Sequence, residues 1–185
     1  DALAEHVRAE ASVVSQSGYM ANIGLIQTIA DEATPVYIDM IAHASLWSGI
    51  HAAGATARPF RHNDVAHLRR QLEKYGPGVV VIDSVYSTNG SVAPIGEVVD
   101  VAEEFDCAII VDESHSLGTH GPEGAGLVVE LGLQDRVHFG RRVSPRRFAA
   151  AAASSPARGS SRSTSPTKPF PSSSPAPYCR TSLRP

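Results

Sequence analysis

Asp112 closes the most apolar run of the chain, Ala108-Ile109-Ile110-Val111-Asp112, and Glu113-Ser114-His115 follow directly. A carboxylate at the carboxyl end of a buried strand can hold a pyridinium nitrogen in its protonated form, because opposite charges in a low-dielectric site favour both ionised states. The competing reading is a strand-end carboxylate that caps the next turn, and the residues alone leave the two level. Three other segments present polar groups just past an apolar run. Ser17-Gly18-Tyr19 joins such a run to a helical pattern. A glycine there lets backbone amides approach an anion at a helix N-terminus, although on this tripeptide alone an ordinary tight turn ranks first. His43, in Asp39-Met40-Ile41-Ala42-His43, could lay its flat ring against an aromatic cofactor, but a lone histidine is more often structural. Ser87, in Tyr86-Ser87-Thr88-Asn89-Gly90, reads equally as a turn.

The remaining candidates are weaker. His62, His67 and His120 lack metal-ligand spacing and read as structural or surface residues, so no metal site is expected. Glu103 and Glu104 read as a solvated helix face. Gly121, Gly124 and Gly126 imitate a phosphate loop but follow no clear strand.

The elements that must position these groups alternate. Ala11–Ser15, Val36–Asp39, Val79–Val85 and Ala108–Asp112 are short apolar runs of the kind buried on both faces of a parallel sheet. Thr56–Phe60 and Arg136–Phe139 are fainter strand signals. Met20, Ile23, Ile26 and Ile29 keep one helical face over 19–30. Val65, Leu68 and Leu72 do so over 64–75, behind Asp64 as N-cap. Pro94 suits the first turn of a helix carrying Ile95, Val98, Ala102 and Phe105. Alternating strands and helices predict an α/β layer fold with a mostly parallel sheet, whose ligands sit beyond the carboxyl ends of the strands.

Composition divides the 185 residues in two. Residues 1–139 hold all 19 acidic residues and 7 of the 16 basic ones, a net −12. Residues 140–185 hold 9 basic residues and no acid, with 8 of the 13 prolines. We therefore expect a boundary near Phe139 and a low-complexity, disordered Ser/Pro/Arg/Ala tail over 140–185. No apolar run is long enough to span a bilayer, no leader pattern stands out, and Cys107 and Cys179 form no disulfide or zinc framework. A cytoplasmic location is the default expectation. The start at Asp1 suggests a fragment.

Five motifs in order carry a resemblance. They are Ser17-Gly18-Tyr19-Met20-Ala21-Asn22, His43-Ala44-Ser45, Phe60-Arg61-His62-Asn63-Asp64, Asp83-Ser84-Val85-Tyr86-Ser87, and Val111-Asp112-Glu113-Ser114-His115-Ser116-Leu117-Gly118. Together they resemble the α-oxoamine synthases, pyridoxal-phosphate (PLP) enzymes of fold type I in the aminotransferase class I/II superfamily. Tyr37-Ile38-Asp39, Trp47 with Gly49, Val85–Gly90 and Asp112–Pro122 are most similar to the quorum-sensing autoinducer synthase branch. The resemblance implies a three-layer α/β large domain, here partial, and PLP as cofactor. It also implies an acyltransferase reaction that condenses an acyl-CoA with an amino acid or related amine, in a homodimer, with no membrane or nucleic-acid partner. At matching positions, Gly18 and Tyr19 would offer amides to the PLP phosphate, and His43 would stack on its ring. Asp112 would pair with the pyridinium nitrogen, and His115 would reach the 3-oxygen with Ser87 nearby. His43 and His115 would be the catalytic side chains.

One part of the family pattern is missing. After Val137-His138-Phe139 the pattern calls for a Thr-Ala-Ser-Leu-Ala-Lys-like stretch whose lysine forms the Schiff base. Counted from His115, that lysine falls at Arg146. Arginine stays protonated and is no nucleophile. Lys168 lies in the Ser/Pro-rich segment, and Lys74 lies on a predicted helix. The chain is therefore expected to be catalytically inactive. Two alternatives are a non-catalytic PLP- or phosphate-binding fragment and an interaction protein using its basic tail. Missing strands would also leave apolar edges exposed, so poor solubility is expected. The tail reads as a frameshift, since a one-base shift in GC-rich codons converts a Lys-Ala-Phe-like peptide to Arg-Arg-Phe. Resequencing the gene across codons 138–148 should uncover a one-base correction that restores a Ser-Leu-Ala-Lys-like peptide. A confirmed frame with no recoverable lysine would sink the frameshift.

Overall fold

The computed structural model describes residues 2–137 and the backbone of Phe148–Ala151. They belong to one compact unit, Asp1–Ser154. Four strands form the central sheet: β2 (Pro35–Asp39), β3 (Thr56–Phe60), β4 (Val79–Asp83) and β5 (Ala108–Asp112). They run parallel in the order β3-β2-β4-β5. A separate pair joins β1 (Ala11–Val14) in parallel to β6 (Phe148–Ala151).

The helices are α1 (Ala2–His6), α2 (Gly18–Ile29), α3 (Ala44–Ala52), α4 (Val65–Tyr75), α5 (Ile95–Glu104) and the short α6 (Leu127–Glu130). Alternation along the strands sorts them into two layers. Val36, Ile38, Val79, Val81 and Ile110 pack with Ile26 of α2 and with Leu46 and Ile50 of α3. Tyr37, Val80, Ile82 and Ile109 face the other way, onto Leu68 and Leu72 of α4 and Val98, Val99 and Ala102 of α5. Both sheet faces are covered, so the strands carry almost nothing polar until their last residue. Each buried aliphatic side chain contributes about 1.5–3 kcal/mol. The result is a three-layer α/β/α sandwich, as the alternating pattern and the family resemblance both implied.

Local chemistry explains most of the boundaries. Asp64 caps α4 by accepting the His67 N–H at 2.7 Å. Pro59 lies in β3, an edge strand, where its missing donor costs least. Four expectations need correction. The β4 strand stops at Asp83 instead of continuing to Val85, because Ser84 turns inward and its hydroxyl donates to the Asp112 carbonyl and to Ser116. Pro94 is the N-cap of α5, one residue before the first turn. Met20 is 54% exposed, and the buried stripe of α2 runs through Asn22, Ile26 and Ala30. Arg136 and Val137 form a turn and a bend, not a strand.

Helix α3 gave no clear periodic signal. It forms against α2 at Gly49, where an added Cβ would come within 2.8 Å of Ile26 Cδ1. The remainder of Arg136–Phe139, the boundary near Phe139 and Arg146 lie outside the described residues.

Candidate functional site

The order β3-β2-β4 means that the chain leaves β2 to one side and returns on the other. This switch point marks the carboxyl ends of the strands, where α/β sheets bind their ligands. Three carboxylates end three adjacent strands there: Asp39 on β2, Asp83 on β4 and Asp112 on β5. Asp83 and Asp112 are direct partners in the register.

Asp112 is held by three donors. Oδ1 accepts from the backbone N–H of Ser114 at 2.9 Å and from its hydroxyl. Oδ2 accepts from Asn22 Nδ2 at 2.6 Å, across from α2. Asn22 is 6% exposed, and the same amide nitrogen donates to Ser45 Oγ at 2.9 Å. Ser45 is buried and lies 2.7 Å from His43 Nδ1. His43 is the exposed N-cap of α3, and its backbone N–H donates to Asp83 Oδ2 at 2.9 Å. Its ring meets Tyr19 edge-on at 6.2 Å.

Ser17 caps α2 by accepting the Met20 N–H, and the first intrahelical bond runs from Ala21 N–H to the Ser17 carbonyl. Helix geometry leaves the Gly18 and Tyr19 amides ahead of that bond, available to an anion. The Tyr19 hydroxyl is occupied by Ser48 at 2.7 Å.

The structure thus brings Gly18, Tyr19, His43 and Asp112 to one end of the sheet. Ser87 follows β4 on an exposed turn, and His115 follows β5, also exposed. Among the described residues, neither side chain hydrogen-bonds to the other four; the His115 carbonyl accepts from Thr119 Oγ1 at 3.3 Å.

Asn22, Ser45, Asp83 and Asp39 were not singled out from sequence. Each sat inside a quoted motif; Asp39 and Asp83 offered a charge at the end of an apolar strand run, whereas Asn22 and Ser45 offered no local signal. Asp39 is fully buried and accepts from the Asn63 and Ile41 amides at 2.9 and 3.0 Å. His62 lies 3.1 Å from both its oxygens through Nδ1 and 2.8 Å from Ser91 Oγ through Nε2. It also rests edge-on against Tyr86 at 4.5 Å. His62 is thus a structural tie between loops. The Tyr86 hydroxyl makes no hydrogen bond of ordinary geometry, and burial together with nearby Asp39 holds its pKa above the usual value.

Gly121, Gly124 and Gly126 close on their own loop. A Cβ on Gly121 would meet the Gly126 carbonyl oxygen at 2.5 Å, so this glycine serves the close packing of the loop on itself. Glu103 and Glu104 sit on the surface but pair with Arg136 and Arg69. Lys74 lies in the last turn of α4 with Nζ over the Tyr75 ring.

The electrostatics of the site call for a cation. Asp83 is 3% exposed, and its Oδ1 has no hydrogen-bond partner. Burial first, and then the charge of Asp112, raise its pKa from 3.8 to about 7. Among the described residues, no lysine or arginine ion pair reaches Asp83 or Asp112. A protonated pyridinium beside Asp112, with its phosphate at the N-terminus of α2, supplies both missing charges, so these residues fit PLP.

Comparison with known proteins identifies the family. Residues 1–144 match the family model for aminotransferase class I and II. The chain belongs to that family. It is 59% identical over 137 residues to the CAI-1 autoinducer synthase of Vibrio campbellii, covering 74% of this chain and 35% of that protein. It is 39% identical over 128 residues to the 8-amino-7-oxononanoate synthase of Acidithiobacillus ferrooxidans, covering 68% and 33%. The solved serine palmitoyltransferase of Sphingomonas wittichii superposes with a TM-score of 0.70 at 36% identity, covering 75% and 35%. A structure of SPT with PLP as its internal aldimine gives 0.70 at 36% identity, covering 74% and 35%. The chain therefore spans about a third of the length of the relatives it matches. The fold and the PLP dependence of the family are as the sequence resemblance implied. Among the described residues, no helix is long and apolar enough to cross a membrane.

The raised pKa of Asp83 has a measurable consequence. The folded chain holds this proton more tightly than the unfolded chain. Its stabilising contribution is full below pH 3.8 and is lost as the pH rises through about 7. Urea unfolding should show the chain losing on the order of 2 kcal/mol between about pH 5 and about pH 8 through this group. Asp83→Asn should flatten that part of the profile. An unchanged profile in the variant would contradict the assignment.

Proposed function

We propose that residues 1–139 are part of the large domain of a PLP-dependent acyltransferase, and that 140–185 are a basic, low-complexity segment. The parent reaction condenses an acyl-CoA with an amino acid or related amine, of the autoinducer-synthase type. The observation that carries this reading is the carboxylate pair Asp112 and Asp83, lacking a cation, beside the free N-terminus of α2. The 59% identity to a CAI-1 autoinducer synthase supports the branch.

In this reading the Gly18 and Tyr19 amides bind the phosphate, and the helix N-terminus adds its partial positive charge. His43 covers the ring, held in place by the Asp83 bond to its backbone. Asp112 keeps the ring nitrogen protonated, and Asn22 and Ser114 keep Asp112 oriented. His115 and Ser87, on the loops after β5 and β4, reach the ring's 3-oxygen. Bound PLP supplies an electron sink for a carbanion at the amine carbon. In this reading the intact protein would act as a homodimer.

With Arg146 where the family pattern calls for lysine, this chain binds PLP without a covalent link and does not turn over. Difference absorbance spectra test this. Wild type with PLP should show the spectrum of the unlinked cofactor, and Arg146→Lys should gain a visible band that borohydride fixes to the protein. A covalent adduct at Lys74 or Lys168 in wild type, or no PLP binding by either chain, would overturn the reading.

A further inference from the structure

We propose that Asn22 and Ser45 are positioning residues that couple the charge state of Asp112 to the tautomer of His43. The hydrogen-bond geometry stands on its own, and only its consequence for a bound ring rests on the PLP reading above. Four side chains form one line: Asp112 Oδ2, Asn22 Nδ2, Ser45 Oγ and His43 Nδ1, at 2.6, 2.9 and 2.7 Å. Three elements contribute, β5, α2 and the start of α3. Asn22 and Ser45 are 6% and 0% exposed, so water does not compete for their bonds.

Counting protons fixes the direction of every bond. A carboxylate only accepts, so the Asn22 atom facing Asp112 is the NH2 group; a flipped amide would set two oxygens against each other. That same NH2 lies against Ser45 Oγ, so Ser45 accepts there and must send its own hydrogen elsewhere. His43 Nδ1 is the acceptor within reach. The backbone N–H of Ser45 also points at Nδ1, at 3.3 Å. Two donors aimed at one ring nitrogen require its lone pair. When neutral, the His43 ring is therefore held with its hydrogen on Nε2, leaving that N–H as the ring's donor.

The same logic says how to reverse the line. The Ser114 N–H needs an acceptor at the Oδ1 position of residue 112. Asp112→Asn therefore places its new NH2 toward Asn22. Asn22 then flips its oxygen into the contact, Ser45 donates to that oxygen, and His43 must donate from Nδ1. A change at Asp112 is thus read three hydrogen bonds away.

The test is a long-range proton–nitrogen spectrum of the full chain labelled with nitrogen-15 histidine, at mildly alkaline pH, with His43→Gln to assign the signal. Wild type should show the Nε2–H pattern, Asp112→Asn should move the population to Nδ1–H, and Ser45→Ala should make His43 insensitive to Asp112→Asn. An Nδ1–H pattern in wild type overturns the proposal, as does an unchanged tautomer in Asp112→Asn. No readout involves PLP, so a chain that shows the switch yet fails to bind PLP would sink the functional reading and leave this coupling intact.

Discussion

Asp39, Asp83 and Asp112 end three neighbouring strands, and the architecture around them depends on how these carboxyl groups are accommodated. Both faces of the sheet are covered by helices, so in β2, β4 and β5 the charged residues are confined to the carboxyl end. Each carboxylate there meets a different solution. Asp39 is tied to His62 and two backbone amides. Asp112 is clamped by Asn22 and Ser114. Asp83 has one oxygen on the His43 amide and the other unpaired. An unpaired buried carboxylate oxygen costs on the order of 1–3 kcal/mol, and strain of this kind concentrates where a protein binds something.

Helices α2 and α3 do more than cover the sheet. Gly49 lets them approach closely, and that approach brings Asn22 and Ser45 within one hydrogen bond of each other. The N-terminus of α2 then faces the same end of the sheet as the N-cap of α3. Packing between two helices thereby sets the distance between a prospective anion site and the ring of His43.

Much of this was legible in the sequence. The runs at 36–39, 79–83 and 108–112 are β-branched and apolar because they are buried on both sides, and Asp64 announced the start of α4. The family motifs then placed Gly18, His43 and Asp112 correctly at one end of the sheet. What escaped was tertiary. Asn22 shares a helix with Ile26, and only the approach of α3 and β5 makes it a clamp. Helix α3 itself has small residues where a periodic pattern would show large ones, since Gly49 and Ser45 are the positions that touch α2. Met20 looked like a core residue by spacing and is exposed, because the buried stripe of α2 follows Asn22, Ile26 and Ala30.

The central claim is that Asp112 and Asp83 form the carboxylate half of a PLP site, which receives the cationic ring. Calorimetric titration of PLP into the wild-type chain and into Asp112→Asn, with inorganic phosphate as a control, addresses it most directly. The account predicts that wild type binds PLP more tightly than phosphate, and that Asp112→Asn weakens PLP by about tenfold or more while leaving phosphate binding unchanged. Equal PLP affinity in the two chains would contradict it.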